Sequence, residues 1–180
     1  IRELLPEKVP VLALTATATP EVVRDIQEKL EFPEPNVLQK SFSRSNLSYS
    51  VLYEEGKDQK LVDIFKRVKG SGIVYVRNRR KTKEAAMLLR RHGISADYYH
   101  AGLTSEERSQ KQEAWMSGKC RVMACTNAFG MGIDKPDVRA VAHLELPDSL
   151  EAYFQEAGRA GRDGEKAYAV LLYQSQDGQR

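Results

Sequence analysis

The sequence predicts an α/β fold in which a mostly parallel sheet is covered by helices on both faces. Two observations predict it: short, wholly apolar segments recur along the chain, and stretches with helical periodicity separate them. Strands that are apolar on both faces and alternate with helices form parallel sheets between helical layers. Ligands of such sheets collect at the carboxyl ends of the strands, so the residues after each strand are the first candidates for a site.

The first elements form a segment of their own. Residues 11–14 (VLAL) predict a buried strand, and Thr19 followed by Pro20 predicts the N-cap and the first residue of a helix. One face of that helix is apolar and carries Val22, Val23, Ile26 and Leu30. Because this apolar strand precedes every partner, we interpret residues 1–45 as the tail of a preceding domain with a connector, and residues 46–180 as a second domain. The alternative is that the strand pairs with the sheet that follows.

Strands and helices alternate through the second domain. Strands are predicted over Leu47–Leu52, Ile73–Val76, Ala96–Tyr99, Val122–Cys125, Val138–Leu144 and Ala167–Tyr173. Helices are predicted from an apolar stripe at Leu61, Ile64, Phe65 and Val68, from Ala85, Leu88 and Leu89, from the capping box 104–107 (TSEE) ahead of Trp115, and over Leu150–Ala157 with Asp148 as N-cap.

Composition narrows the possible partners without naming one. The chain has 180 residues, a formal net charge of +3 and a pI near 8.8, which permits a polyanionic partner. No apolar run approaches the length of a membrane span, and no segment reads as a signal peptide. Cys120 and Cys125 are five residues apart in what we predict to be one strand. That odd offset points them to opposite faces, so we expect neither a disulfide nor a shared metal. The histidines are not clustered either, and a reduced, intracellular compartment fits this cysteine usage.

The most informative segment is residues 155–164 (QEAGRAGRDG), which follows a predicted helix and carries Arg159 and Arg162 among three glycines. Arginine stays ionised and offers a planar fork of donors to phosphate oxygens, and glycine lets a backbone approach a ligand closely. The pattern favours a group that stabilises charge during γ-phosphoryl transfer. A solvated surface turn would explain a glycine after a helix, but not three glycines interleaved with two arginines.

Three further candidate segments follow predicted strands. Residues 77–83 (RNRRKTK) place cations beside a helix N-terminus, which suits phosphate groups, although a solvated helix face is an equally open interpretation. Residues 98–103 (YYHAGL) offer rings that stack on bases, although an aromatic pair is more often packing. In residues 126–136 (TNAFGMGIDKP), Asp134 is suited to accept from a ribose hydroxyl and Thr126 to meet a phosphate.

Other segments limit what the chain can do alone. Residues 14–19 (LTATAT) place small hydroxyls at a strand tip, suited to sensing a nearby phosphate, although a β-branched strand end running into a helix cap explains them more simply. There is no GxxxxGK[ST] loop, because Cys120 follows Gly118 and Lys119, and no acidic DE pair to hold Mg²⁺. The chain can therefore supply arginines to a nucleoside triphosphate but cannot cradle one.

Taken in this order, the segments resemble the RecQ family of superfamily 2 DNA helicases over essentially the whole chain. Residues 12–18 look like motif III, 72–76 and their basic tail like motif IV, 99–103 like the next block, 129–139 like motif V and 153–164 like motif VI. The last two matches are the specific ones, and DEAD-box RNA helicases differ in both. Two residues depart from the family pattern: Ser45 stands where proline is usual, and Glu145 where aspartate is common.

The resemblance implies a RecA-like, P-loop NTPase-type helicase C-terminal lobe with three αβα layers. ATP with Mg²⁺ would bind between this second lobe and a first RecA-like lobe, its intramolecular partner. Arg162 would be the arginine finger with Arg159 as its companion, and Asp134, Gly132 and Gln155 would contact the nucleotide. Single-stranded or partly duplex DNA would lie against Thr126, Arg77, Asn78, Arg79, His100 and Gly102. Thr15 and Thr17 would couple the two sites.

The same resemblance implies 3′-to-5′ stepping along DNA by cycles of lobe closure, with this fragment inactive alone. It places the protein in DNA repair and recombination, at a bacterial nucleoid in the cytoplasm or in a eukaryotic nucleus, with no membrane partner. Zinc would belong only to a downstream module beyond Arg180. Two other functions stay open: a stand-alone nucleic-acid-binding module with no role for Arg162, and an RNA-directed DEAD-box-like enzyme that prefers 2′-hydroxyl contacts.

Overall fold

The computed structural model describes residues 6, 9–15, 18–39, 43–130 and 133–178. The chain divides into two compact units, Ile1–Ser43 and Arg44–Arg180. Each unit has its own architecture, and the candidate site residues fall mainly in the second.

The first unit contains helix α1, Pro20–Lys29, as predicted. The Thr19 side chain accepts the N–H of Val22 at 3.3 Å and caps the helix. The predicted strand at residues 11–14 is wrong: this segment is irregular, with Leu12 80% and Leu14 84% exposed. A strand needs a neighbour to satisfy its backbone groups, and none of the six described strands pairs with this segment. The alternative, in which the segment joins the following sheet, is therefore wrong as well.

The second unit is a six-stranded sheet with helices between its strands. The strands are β1 (Leu47–Tyr53), β2 (Ser71–Tyr75), β3 (Ala96–Tyr99), β4 (Val122–Cys125), β5 (Val138–His143) and β6 (Ala167–Tyr173). The helices are α2 (Lys57–Arg67), α3 (Arg79–Arg91), α4 (Ser105–Met116) and α5 (Leu150–Ala157), and a 3₁₀ helix at Ser175–Gly178 follows β6. The strand order is β1-β6-β5-β2-β4-β3, and every neighbouring pair is parallel. These elements confirm the predicted class.

Side chains of the central strands alternate between two apolar clusters, one on each face of the sheet. Ile73 of β2 packs in the cluster that contains Trp115 of α4, whereas its neighbour Val74 belongs to the cluster with Phe65 of α2 and Leu89 of α3. Helices α4 and α5 therefore cover one face, and α2 and α3 cover the other. The predicted three-layer αβα arrangement is confirmed.

Two local predictions are wrong. The N-cap of α5 is Ser149, whose Oγ accepts the N–H of Ala152 at 3.1 Å, because the cap is the residue immediately before the first helical one. Asp148 instead pairs with Arg77. Cys120 lies before β4, so strand alternation does not apply to it, and both cysteines are free, buried and in the same apolar cluster.

Candidate functional site

The predicted site residues fall into two groups at different places in the second unit. The first group follows β2, β3 and β4 at the carboxyl edge of the sheet. We call it the carboxyl-edge group; it comprises Arg77, Asn78, Arg79, His100, Gly102 and Thr126. The second group lies around residues 158–166, which follow α5 and which we call the arginine loop.

Parallel pairing brings the members of the carboxyl-edge group together. The N–H of Thr126, just after β4, donates to the carbonyl of Tyr99 at 3.3 Å, so the ends of β3 and β4 are joined. Gly102 lies against the side chain of Arg79, since a Cβ at this position would be 2.7 Å from Nη1. His100 is half-buried, with its Nδ1 buried and unpartnered among the described residues. The segments after three different strands therefore form one surface.

The cations at the start of α3 are offset mainly by carboxylates of the chain itself. Arg77 pairs with Asp148, and Lys81 Nζ lies 2.7 Å from Glu145 Oε1. The buried Glu145 also accepts the backbone N–H of Arg77 at 2.8 Å. The side chain of Asn78 caps the helix by accepting the N–H of Lys81 at 2.8 Å. A cation at a helix N-terminus is unfavourable, and these anions account for its presence there without an external phosphate.

Two basic residues of this segment, Arg79 and Lys83, form no ion pair with a described carboxylate. Arg79 is the one that also contacts Gly102. It is therefore the residue of the carboxyl-edge group best placed to meet a phosphate.

The arginine loop lies at the other end of the sheet. The N–H of Gly161 donates to the carbonyl of Val138 at 2.8 Å, and the N–H of Asp163 donates to that of Pro136 at 3.3 Å. These bonds place the loop at the amino end of β5, where residues 133–137 also arrive. The expectation that candidate site residues lie at the carboxyl edge of the sheet therefore holds for the first group but not for the second.

Arg162 and Asp134 form an ion pair on the exposed side of this loop. Arg162 Nη1 lies 2.7 Å from Asp134 Oδ1 and also donates to the carbonyl of Ile133 at 3.3 Å. The Arg162 side chain is 37% exposed and that of Asp134 is 81% exposed. Both bonds use Nη1, so within the described part of the chain Nε and Nη2 keep their donors for an incoming group.

Arg159 has a more enclosed position three residues earlier, in the turn that follows α5. Its Nη1 donates to the carbonyl of Gly130 at 2.6 Å, and its Nε is buried without an acceptor among the described residues. Next to it, the hydroxyl of Tyr75 donates to the carbonyl of Phe129 at 3.0 Å, and burial raises the pKa of this tyrosine well above its ordinary value. Arg159 therefore holds the segment that leads from β4 to Asp134.

Four other predicted residues belong to neither group as defined by its members. Gln155 and Thr15 are exposed. Gly132 and Thr17 lie outside the described residues. In the described ranges, no three His, Cys, Asp or Glu side chains come close enough together to hold a metal ion.

Three residues around the arginine loop were missed from the sequence. Arg139 pairs with Asp163 and donates to the carbonyl of Lys166 at 3.3 Å, and its hydrogen bond lowers the pKa of Asp163. Arg44 and Asn46 donate to backbone carbonyls of the same loop. Side-chain bonds to backbone carbonyls leave no spacing pattern in a sequence, which is why these three could not be found there.

Comparisons with known proteins find relatives of this chain over most of its length. The family described as "Helicase conserved C-terminal domain" matches residues 56–164. The RecQ-like DNA helicase blm-1 of Caenorhabditis elegans is 43% identical over 94% of this chain, and the ATP-dependent DNA helicase RecQ of Bacillus subtilis is 41% identical over 96%. The solved structure of Saccharomyces cerevisiae Dbp5 bound to RNA and ADP BeF3 superposes with a TM-score of 0.78 at 22% identity, over 98% of this chain and 48% of that one.

The chain spans only a small part of these relatives. It covers 17% of the worm protein and 29% of the bacterial protein. No described helix has the length and apolar character that a bilayer crossing requires.

Proposed function

The chain belongs to the helicase conserved C-terminal domain family as a RecQ-type member, and from this premise we propose that it is the second half of an ATP-driven DNA helicase motor. The half-site, by which we mean the part of the nucleotide site that this lobe supplies, is centred on the arginine loop and includes residues outside it. Arg162 acts as the arginine finger, Asp134 contacts the ribose, and Gly132 and Gln155 complete the nucleotide contacts. A first RecA-like lobe supplies the phosphate cradle and the Mg²⁺ ligands, which this sequence does not contain.

The Arg162–Asp134 ion pair is the observation that carries the proposal. The resemblance assigns both residues to one nucleotide, although they are 28 positions apart, and the fold brings them within 2.7 Å. The exposed Arg162 is held by one carboxylate that a triphosphate can replace with stronger, multiply charged acceptors. That exchange frees Asp134 to accept from a ribose hydroxyl, so nucleotide binding engages both side chains at once.

Arg159 supports the finger rather than duplicating it. Its bond to the Gly130 carbonyl fixes the segment that carries Asp134. As the companion of Arg162, Arg159 keeps the Asp134 carboxylate in a fixed position relative to the Arg162 guanidinium. A fixed geometry matters because electrostatic stabilisation of a transition state acts through groups that do not have to reorganise.

DNA is proposed to lie along the carboxyl-edge group. Arg79, which has no ion-pair partner among the described carboxylates, contacts backbone phosphates, and the half-buried His100 and the close backbone at Gly102 shape the path of a single strand. Thr126 joins this surface to the segment that leads to Asp134. Thr15 and Thr17 couple the two sites. The motor steps 3′ to 5′ on single-stranded or partly duplex DNA, in repair and recombination, in a bacterial cytoplasm or a nucleus.

DNA is favoured over RNA as the substrate because the relatives that are similar to this chain in sequence are named as DNA helicases. The relatives named as DNA helicases are 41–43% identical to this chain, whereas the RNA-bound Dbp5 shares only the fold at 22%. The remaining alternative, a stand-alone binding module, gives Arg162 no task. The two differ in one measurable property, ATP hydrolysis that depends on Arg162.

The test is DNA-stimulated ATP hydrolysis by this chain joined to a RecQ-type first lobe. Arg162→Ala should lower the rate by roughly 10³- to 10⁵-fold while DNA binding is retained, since an arginine finger contributes about that much. Arg67→Ala is the matched control, because Arg67 is an exposed arginine in the last turn of α2 and lies outside both groups. Unchanged hydrolysis in Arg162→Ala would contradict the half-site and favour the binding module.

A further inference from the structure

Two side chains that directly precede β1 bind the backbone of the arginine loop. Arg44 Nη1 donates to the carbonyl of Gly158 at 3.1 Å, and its Nη2 donates to the carbonyl of Gly161. Asn46 Nδ2 donates to the carbonyl of Gly161 at 2.7 Å and to that of Glu165 at 2.9 Å. The loop is thus held at its start, middle and end by two residues more than 110 positions away in sequence.

The backbone of the loop leaves no room for another arrangement at Gly161. This residue has a φ of +61°, and a Cβ there would lie 2.7 Å from Asn46 Nδ2 and 2.8 Å from the carbonyl oxygen of Glu165. Glycine is therefore needed both for the left-handed conformation and for the close approach of Asn46. The Asn46 carbonyl in turn accepts the N–H of Ala167 at 2.9 Å, which fixes where β6 begins. The glycine and the asparagine fit each other as a pair.

Arg162 follows Gly161 directly, so the same contacts set the direction in which its side chain leaves the loop. Bonds from Arg44 and Asn46 converge on the Gly161 carbonyl, which is the acceptor of the peptide group that joins Gly161 to Arg162. A rotation of that peptide would break both bonds and move the Arg162 side chain. We propose that Arg44 and Asn46 are positioning residues for Arg162, an inference that rests on the proposed arginine finger.

The expected effect is on the chemical step rather than on binding. Arg44 and Asn46 touch backbone carbonyls of this loop and neither of the two proposed ligands, so their loss should leave the affinities for ATP and DNA in place. A catalytic group displaced by about 1 Å can cost on the order of 100-fold in rate. Removing either side chain should therefore lower kcat by about 10- to 100-fold with little change in KM.

The experiment measures kcat and KM for ATP hydrolysis in this chain joined to a RecQ-type first lobe. The variants are Arg44→Ala, Arg44→Lys and Asn46→Asp. Lysine keeps the charge but lacks the planar fork that reaches two carbonyls. Arg44→Lys should therefore lower kcat by nearly as much as Arg44→Ala does. Asn46→Asp keeps the size but replaces both N–H donors with acceptors that face two carbonyls. Ser45→Ala is the matched control, because Ser45 is exposed and lies between the two residues.

The decisive arm combines each variant with Arg162→Ala. If Arg44 acts through the finger, Arg44→Ala should lower kcat in the parent protein and have no further effect once Arg162 is gone. An equal decrease in both backgrounds would overturn the proposal, as would an unchanged kcat in Arg44→Ala and Asn46→Asp alongside a large loss in Arg162→Ala. Thermal unfolding of each variant separates loss of fold from loss of rate, and Arg44→Lys replaces Arg44→Ala if the latter does not fold. If the Arg162→Ala variant hydrolysed ATP at the same rate as the parent protein, that result would instead contradict the proposed function itself.

Discussion

At the scale of single residues, the position of Arg159 depends on one neighbouring glycine. Its guanidinium lies over Gly130 and donates to the Gly130 carbonyl at 2.6 Å. A Cβ on this glycine would lie 2.5 Å from the guanidinium carbon, a distance that no side chain tolerates. Arg159 would have to move, and the segment leading to Asp134 would lose its bond.

We therefore predict that Gly130→Ala lowers kcat for ATP hydrolysis. The clashing atoms are the end of the flexible Arg159 side chain, which can move only by giving up its bond to the Gly130 carbonyl, and the φ of +159° at Gly130 adds backbone strain that thermal unfolding would record as a loss of stability. In the joined two-lobe protein, kcat should fall by about 10-fold or more, because small displacements of catalytic groups are costly. Gly56→Ala is the control, since a Cβ there meets only Glu54 at 3.7 Å. Equal activity of the two variants would contradict the prediction.

The sequence could not predict which partners hold the candidate site residues in place. Arg162 and Asp134 were expected at one nucleotide, and the structure joins them. For the basic segment at 77–83, a phosphate-binding role and a solvated helix face were equally open interpretations, and the structure shows that Glu145 and Asp148 pair with two of its cations. Such pairs form only after distant segments meet, so residue type and local spacing could not predict them.

At the scale of elements, periodicity predicted nearly every helix and strand because buried faces repeat at fixed intervals. The capping box of α4 is an example: the Glu107 N–H donates to Thr104 Oγ1 at 3.2 Å, and the Thr104 N–H donates to Glu107 Oε2 at 2.8 Å. The exception, residues 11–14, has the composition of a buried strand without a strand neighbour in the described chain. Composition indicates that a segment is able to form a strand, but whether it does so depends on whether the rest of the fold places another strand beside it.

The two halves of this capping box should differ in their dependence on pH. The backbone hydrogen bond from Thr104 lowers the pKa of Glu107. Its stabilising effect is therefore fully present above the pKa of an unfolded glutamate, about 4.3, and is lost as the pH falls through the lower folded value. Thr104→Ala should lower the free energy of unfolding by about 1 kcal/mol at neutral pH and by less at pH 3. Its hydroxyl caps the helix at both pH values, but it also stabilises the Glu107 carboxylate, and that contribution is lost when the carboxylate is protonated.

Glu107→Ala should lower the free energy of unfolding at neutral pH and should change it much less at pH 3. The measurement is urea unfolding of both variants and the parent chain at the two pH values. A Glu107→Ala effect of equal size at both values would show that its carboxylate is not what stabilises the helix start.

At the scale of the whole molecule, the order of the segments predicted the family but not the layout of the site. The resemblance placed nucleotide and DNA residues in one lobe, and the structure separates them to the amino end of β5 and the carboxyl edge of the sheet. Thr126 lies at the carboxyl edge and Asp134 lies beside the arginine loop. That separation depends on where α5 ends and on what holds the arginine loop, neither of which a linear motif records.

The last prediction concerns where the second unit begins as a folding unit. The structure divides the chain after Ser43, and Arg44 and Asn46 make at least four hydrogen bonds to the arginine loop. A chain that begins at Ser43 should unfold cooperatively with the same midpoint as the full chain. A chain that begins at Leu47 should be less stable by roughly 2 to 4 kcal/mol, since each intramolecular hydrogen bond contributes about 1 kcal/mol.

Urea unfolding of both shortened chains checks this prediction, and hydrogen exchange shows where the loss falls. In the chain that begins at Leu47, amides of residues 158–166 should exchange faster, whereas those of β2 and β4 should follow the global stability. If both shortened chains were equally stable, Arg44 and Asn46 would contribute nothing to the fold, and only their effect on Arg162 would remain to be measured. If the chain beginning at Ser43 were already destabilised, the first 42 residues would belong to the folding unit, and the division after Ser43 would not describe how the protein folds.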